Sequence, residues 1–381
     1  MCPDRKMNIG QQLFRTIWPL VREKGEHTAY CVAIIDQTVL PHEWRIITLD
    51  SVEQMVDAIR RMQVRGAPLI GAAAAYGMAL ASQESPSEQH LQAAASRLLA
   101  SRPTAVNLRW AVERMMRTLL VVPEAQRCEY AWREADCIAD EDVRINQAIG
   151  QHGLALLQRL AVGKPGRLNV LTHCNAGWLA TVDWGTALAP VYAAFDAGMD
   201  VHVWVDETRP RNQGASLTAW ELQQHGVPYT IVCDNAGGHL MQHGKVDCVI
   251  VGADRATCAG DICNKIGTYL KALAAADNGV PFYAAVPTPT IDWQIADAKD
   301  IPIEERDVDE VHIVAGRAEN GCMTSVRVTP EGSAAANPAF DVTPARLVTS
   351  IITEHGCYAP GRLSDILQLV DPAIHPVTMQ T

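Results

Sequence analysis

Asn169-Val170-Leu171-Thr172-His173 runs straight into Cys174-Asn175-Ala176-Gly177, an apolar stretch that stops on polar and small residues. The pattern returns at 201–205, 229–233, 248–252 and 282–286, and the intervening segments 184–197, 215–224 and 265–276 read as helices. Short apolar runs without polar alternation fit strands covered on both faces, and strand–helix alternation fits a parallel sheet. We therefore expect an α/β fold with a Rossmann-like, doubly wound parallel sheet in the C-terminal part. Ligands of such sheets bind outside the carboxyl ends of the strands, so the residues after each run are where chemistry is sought.

The first run ends on Cys174, the second leads into 206–214 with Gln213, and the fourth is followed by Asp254-Arg255 and then by Asn264-Lys265-Ile266-Gly267-Thr268, which reads as a helix start. A thiol between a strand end and a helix N-terminus is shifted toward thiolate. Cys174 is thus a candidate reactive thiol, with a buried structural cysteine as the alternative. A carboxylate at the mouth of a dry pocket can have a raised pKa and donate a proton. Asp254 is in that position, with an ion pair to Arg255 or a helix cap as the alternative. Asn264 and Lys265 suit a phosphate or sugar hydroxyls. Arg65 and Arg102 each stand at a helix break, where an anion site and a solvated surface arginine are both open readings. His173 adjoins Cys174, but neighbours on a strand point to opposite faces, which speaks against a Cys–His dyad. No P-loop and no G-x-G-x-x-G follows a strand, so no nucleotide cofactor is expected.

Upstream of the break at Lys164-Pro165-Gly166 the texture is mixed, then helical. Residues 30–35 and 44–49 read as a small hairpin. Ser51 with Gln54 forms a capping-box pattern, and Ser85-Pro86-Ser87-Glu88 reads as a helix start with Ser85 at the cap. Helical patterns continue over 104–120 and 131–160. We expect a mostly helical N-terminal domain with a short β element over 1–145, a Rossmann-like catalytic domain over 146–381, and a site at their interface.

Composition bounds the function. The chain has 381 residues, 48% hydrophobic and 20% charged, with a formal net charge of −11. That is a globular composition, and an acidic chain without basic runs argues against nucleic acid or an anionic membrane as partner. The first ten residues have no signal-peptide core, and the uncharged run 67–81 is too short to span a bilayer, so a cytoplasmic protein is expected. The 11 cysteines contain no C-x-x-C pair, which leaves neither a zinc site nor a disulfide framework. Cys174 apart, they are expected to be packing residues.

The sequence resembles the methylthioribose-1-phosphate isomerase family, which is homologous to the α, β and δ regulatory subunits of a eukaryotic translation-initiation exchange factor. The resemblance covers nearly the whole chain. It rests on the segments Ile35 to Pro41, Arg65 to Gly71, Arg102 to Leu108, Thr172 to Gly177, Asp206 to Gly214, Gly252 to Arg255, Asn264 to Thr268, Ile303 to Arg306 and Asn337 to Pro344. Only the tail after Thr353 is less family-like. The Thr172–Gly177 turn with the Asp254 strand end resembles the catalytic members, whereas the regulatory relatives usually lack that pairing. The resemblance implies conversion of 5-methylthioribose 1-phosphate to 5-methylthioribulose 1-phosphate in methionine salvage, without metal or nucleotide cofactor. Asp254 would be the acid and Cys174 its partner, with substrate bound by Arg65, Gly66, Ala67, Arg102, Gln213, Asn264 and Lys265. It also implies a homodimer. An isomerase of ribose 1,5-bisphosphate or 5-deoxyribose 1-phosphate, and a non-catalytic regulatory subunit, are the alternatives.

Overall fold

The computed structural model describes residues 7–9, 12–24 and 27–370. Most of the first ten residues, read above for a signal peptide, and the tail from 371 onward lie outside the described residues.

Five helices build the N-terminal part: α1 (Val52–Arg60), α2 (Ala67–Glu84), α3 (Glu88–Ser101), α4 (Val106–Leu120) and α5 (Arg127–Ala161). The alanine-rich run is α2, buried along almost its whole length because small side chains let α1, α3, α4 and α5 close around it. Ser51 caps α1 by accepting from the Gln54 N–H. Ser87, not Ser85, caps α3: Ser85 instead ends α2, and Pro86 separates the two helices. The expected hairpin is a three-stranded antiparallel sheet of Ile17–Lys24, His27–Ile35 and Ile46–Leu49. The extra strand was hidden by Pro19, which is tolerated because this strand lies at the sheet edge. Helix α5 is 35 residues long. Its Trp132, Ile138 and Val143 join the N-terminal core, while Ile149, Leu156 and Leu157 join the core of the large sheet. The helix is continuous through 145–146, so the two parts share it.

The large sheet has seven strands: β1 (Leu168–Thr172), β2 (Val201–Asp206), β3 (Tyr229–Val232), β4 (Cys248–Val251), β5 (Phe282–Ala285), β6 (Ser350–Thr353) and β7 (Gly356–Tyr358). Their order is β7-β6-β5-β4-β1-β2-β3, with every pairing parallel except β6–β7 at one edge. Alternation along the strands feeds two cores. Val170, Cys248 and Ile250 pack with α5 and α6 (Ala189–Asp196), and Leu171, Val249 and Val251 face α8 (Ala236–Gln242) and α9 (Thr268–Asp277). Helix α7 (Ala219–His225) joins the first layer through Trp220 and Leu222. This is the doubly wound α/β sheet. Its chain order reverses between β1 and β4, the switch point at which ligands bind in such folds.

Some local expectations are corrected. Asn264 and Lys265 close a strand, Ile262–Lys265, rather than opening a helix. That strand belongs to a second sheet with Arg255–Thr257, Ile291–Asp292 and Phe340–Thr343, and α9 begins only after Gly267, whose φ of 101° turns the chain. The expected helix at 184–197 is confined to Ala189–Asp196. The tail beyond Thr353 contributes β7 and a helical turn at Pro360–Ile366 that buries Leu363 and Ile366. Among the described residues no helix is long and apolar enough to cross a membrane.

Candidate active site

Strands β1 and β4 are hydrogen-bonded neighbours, so the segments leaving them are adjacent by construction. One carries Cys174 and the other Asp254. The start of α2 brings Arg65, Gly66 and Ala67 against them, and the end of α3 brings Arg102. The second sheet adds Asn264 and Lys265, and the loop after β2 adds Gln213. All of these line a single cavity, together with Met62, Asn175, Arg306 and Phe340. Gly66 has a backbone reason to be glycine: its φ is 96°, and a Cβ there would lie 2.5 Å from the Ala180 carbonyl oxygen. The missing side chain lets α2 approach the loop that leaves β1.

Cys174 is 7% exposed and holds a φ of 67°. Its N–H donates to Thr208 Oγ1 at 2.8 Å, and its thiol donates to Gln213 Oε1 at 3.2 Å. The expected helix dipole is not there, because the next element is the short turn Trp178–Ala180. Burial therefore dominates and pushes the thiol pKa up, opposed by the nearby charges of Arg65 and Lys265. Asp254 opens onto the cavity but is otherwise enclosed by protein. Burial raises its carboxyl pKa, and Lys265, Arg102 and Arg65 pull it back. The ion pair with Arg255 does not form: Arg255 pairs with Asp292 at 3.3 Å and donates to the Thr104 carbonyl at 2.6 Å.

The cations are buried rather than solvated. Arg65 and Arg102 are 6% and 9% exposed. Arg65 donates to the side-chain and backbone oxygens of Asn175, and Arg102 reaches Glu304 at 3.2 Å. Lys265 lies 4.7 Å from the Phe340 ring centroid, and burial lowers its pKa against the opposing pull of Cys174 and Asp254. The amide of Asn264 donates to Thr268 Oγ1 at 3.1 Å.

Sequence reasoning passed over Arg306, held by Glu304 at 2.9 Å and Glu310 at 2.7 Å. Its signal lay in the segment Ile303 to Arg306, whose arginine was not singled out. Asn175 was likewise passed over, although it lies inside the turn that carries Cys174. A second cavity joins the first at Met62, Arg65 and Gln213, with Leu40, Leu217 and Met323 on its wall. His173, Asp206 and Asp234 place ligand-type atoms within 4.8 Å of one another. These groups are already engaged: His173 bonds Asp206 at 2.9 Å and the Ile266 carbonyl at 2.8 Å, Lys271 reaches Asp206 at 3.1 Å, and Asp234 accepts from the Thr208 and Arg209 N–H groups. The cluster fits a structural ion network better than a metal site. Among the other cysteines, Cys137, Cys233 and Cys322 are exposed, so packing does not account for them all.

Comparison with known proteins agrees with the fold. The model of the Initiation factor 2 subunit family matches residues 63–360. The chain is 61% identical over 360 residues to a methylthioribose-1-phosphate isomerase of Rhodospirillum rubrum, covering 93% of this chain and 91% of that one. Among solved structures, 5-methylthioribose 1-phosphate isomerase from Pyrococcus horikoshii OT3 superimposes with a TM-score of 0.77 at 40% identity, covering 94% of this chain and 97% of the other. The translation initiation factor eIF-2B subunit delta from A. fulgidus gives a TM-score of 0.74 at 40% identity, covering 93% and 99%. The chain belongs to the Initiation factor 2 subunit family and, within it, to the methylthioribose-1-phosphate isomerases.

Proposed function

We propose that this protein is an aldose–ketose isomerase that converts 5-methylthioribose 1-phosphate to 5-methylthioribulose 1-phosphate, a step of methionine salvage. The observation that carries this reading is the meeting of one carboxyl, one thiol and the cations Arg65, Arg102, Lys265 and Arg306 on a single buried cavity. A phosphate on the anomeric oxygen locks the furanose, so the ring opens only if its oxygen is protonated as the C1–O bond breaks. Asp254, with its carboxyl pKa raised by burial, supplies that proton. The hydrogen on C2 then moves to C1 and C2 becomes a carbonyl, its hydroxyl proton returning to Asp254. Cys174 is the partner at C2. The buried cations hold the phosphate, and Gln213 and Asn264 take sugar hydroxyls. The Gly66 and Ala67 backbone lies at the start of α2, where N–H groups point outward to an anion.

The adjoining cavity wall of Leu40, Met62, Leu217 and Met323 gives apolar room for the methylthio group. A second phosphate at C5 fits that wall less well, since Arg211 beside it is already paired with Glu310 at 2.8 Å. Turnover of 5-methylthioribose 1-phosphate, ribose 1,5-bisphosphate and 5-deoxyribose 1-phosphate by the purified protein tests the reading; equal or better use of the bisphosphate overturns it. A reaction in D2O bears on the role of Cys174: solvent deuterium at C1 requires proton transfer through an exchangeable group such as the thiol, whereas full retention of the C2 hydrogen at C1 fits a direct shift from C2 or a proton handed on without exchange. The proposal includes two domains, 1–145 and 146–381, with the site at their interface, and a homodimer. The two apolar clusters at the ends of α5 support the division, although Val182 joins the first and Met7, Ile35 and Leu40 join the second.

A further inference from the structure

Glu221 takes no part in the chemistry above, yet it is completely buried beneath the turn that carries Cys174. It sits in α7, directly after a π-helical turn at Gly214–Thr218. Its carboxylate accepts from Asn175 Nδ2 and the Leu179 N–H through Oε1, each at 2.8 Å. Oε2 accepts from the Trp178 N–H at 2.7 Å and from the Tyr192 hydroxyl at 2.8 Å. All four donors are neutral, and among the described residues no cation touches the carboxylate. A buried carboxylate without a cation is costly, so its retention asks for a reason beyond packing. The turn is also shaped to admit it: a Cβ on Gly177 would collide with Oε2.

The reason lies one residue further in. The Asn175 amide gives its nitrogen end to Glu221 and its oxygen end to Arg65, whose second amino group reaches the Asn175 backbone carbonyl at 2.5 Å. One amide therefore stands between a buried carboxylate and a buried guanidinium on the cavity wall, with its dipole aligned to both. Arg65 forms no direct ion pair among the described residues, which leaves its charge available to a substrate anion instead of neutralised in place. Thr218, from the π-helical turn, donates to the Cys174 carbonyl at 2.7 Å and fixes the same turn from its other end.

We propose that Glu221 is a positioning residue for the isomerisation: acting through Asn175, it sets Arg65 and the turn bearing Cys174, and places the counter-charge behind the site rather than in it. This rests on the function proposed above.

The test uses the full chain with Glu221→Gln, Asn175→Ala and Tyr192→Phe. A glutamine turns an NH2 toward one pair of donors, so at least one backbone N–H loses its acceptor. In folded Glu221→Gln, kcat/KM falls roughly 10- to 100-fold, as expected for a displaced substrate-orienting arginine. The pH profile of Cys174 alkylation, followed on its own peptide by mass spectrometry without substrate, moves upward by about one unit as Arg65 drifts from the thiol. Asn175→Ala reproduces both changes, and the double variant is no worse than the more severe single one. Tyr192→Phe removes one donor of four but leaves Asn175 and both backbone N–H groups on the carboxylate, so it shifts kinetics and alkylation clearly less than Glu221→Gln does. A folded Glu221→Gln with wild-type kinetics and alkylation overturns the proposal. So do equal shifts in Tyr192→Phe, which would mark a general loosening. If Glu221→Gln does not fold, an unchanged Asn175→Ala overturns it. Alkylation needs no substrate, whereas failure of the isomerase reading shows as absence of turnover in the unaltered protein.

Discussion

Gly252→Ala tests whether the two proposed reacting groups depend on the spacing of adjacent strand ends. Gly252 follows β4 and stands two residues before Asp254; Ala176 stands two residues after Cys174. A Cβ built on Gly252 lies 2.5 Å from the Ala176 Cβ and 3.2 Å from Thr186 Oγ1. Carbon atoms in contact sit about 3.5–4.0 Å apart. The two segments must therefore separate by about 1 Å, and one carries Asp254 while the other carries Cys174. Overpacking of this kind costs about 1–3 kcal/mol of stability. A misplacement of about 1 Å at reacting groups costs about 100-fold in rate, or about 2.7 kcal/mol of barrier. We expect folded Gly252→Ala to lose kcat by about that factor. Ala176→Gly removes the atom in collision, so the double variant should recover most of the loss, with a coupling of about 1–3 kcal/mol. The assay is turnover of 5-methylthioribose 1-phosphate beside thermal melts of the four proteins. Wild-type kcat in Gly252→Ala refutes the reasoning. So does a loss that Ala176→Gly fails to relieve while being active itself.

Cys174→Ala and Asp254→Asn should each lower kcat by roughly 10²–10⁴ with melting temperatures near wild type; near-normal turnover in either removes that residue from the chemistry. Asp142 and Asp183 give a pH dependence of stability. Burial raises each carboxyl from 3.8 to about 7 in the folded protein. Between about pH 4 and 7 the unfolded chain has already lost protons that the folded one keeps, so stability falls as pH rises through that window and levels off above it. Each group contributes on the order of 4 kcal/mol at most. Urea unfolding at several pH values should show the fall, Asp142→Asn should flatten it, and an unchanged slope in that variant contradicts the assignment. Mass measurement at micromolar concentration should give a dimer; a strictly monomeric mass counts against it.

The large sheet was legible because parallel strands are covered on both faces, so β4 and β5 appear as unbroken runs of apolar residues and β1 and β2 as largely apolar ones. The second sheet was not. Arg255–Thr257 is three residues long and begins on a charge, and Ile262–Lys265 ends on Asn264 and Lys265, which by residue type look like a ligand-binding loop. The two pair with each other, and their outer partners, Ile291–Asp292 and Phe340–Thr343, lie further along the chain, so the sheet is completed only by tertiary pairing. The location of Cys174 was legible from its place after a strand, but its electrostatics were not. The expected thiolate depended on a following helix. The chain makes a short turn instead, and the burial that the fold imposes acts in the opposite direction. Glu221 was invisible for the same kind of reason: it stands 46 residues from Asn175, and nothing in its own neighbourhood distinguishes it from a solvated helix residue.

The acidity of the chain and the proposed binding of an anion are compatible once burial is considered. The net charge of −11 is set largely by exposed carboxylates, whose fields in solution fade over about 8 Å at physiological ionic strength. Arg65, Arg102 and Lys265 are at most 9% exposed, and charges so deeply buried are weakly screened. Burying cations there carries its own penalty, visible in the pKa of Lys265, which desolvation lowers first and the charges of Arg306 and Arg102 lower further. The protein offsets it with carboxylates set around the cations, Glu304 beside Arg102 and Arg306, Glu310 beside Arg306, and Glu221 one amide away from Arg65. Of these four cations, Arg65 has its carboxylate at one remove and Lys265 has no direct ion pair among the described residues. Those two are also the cations whose charges most strongly oppose the raised thiol pKa of Cys174. Counter-charges thus stand directly beside Arg102 and Arg306 and at a remove from Arg65 and Lys265, and that division follows from where the fold places the carboxylates.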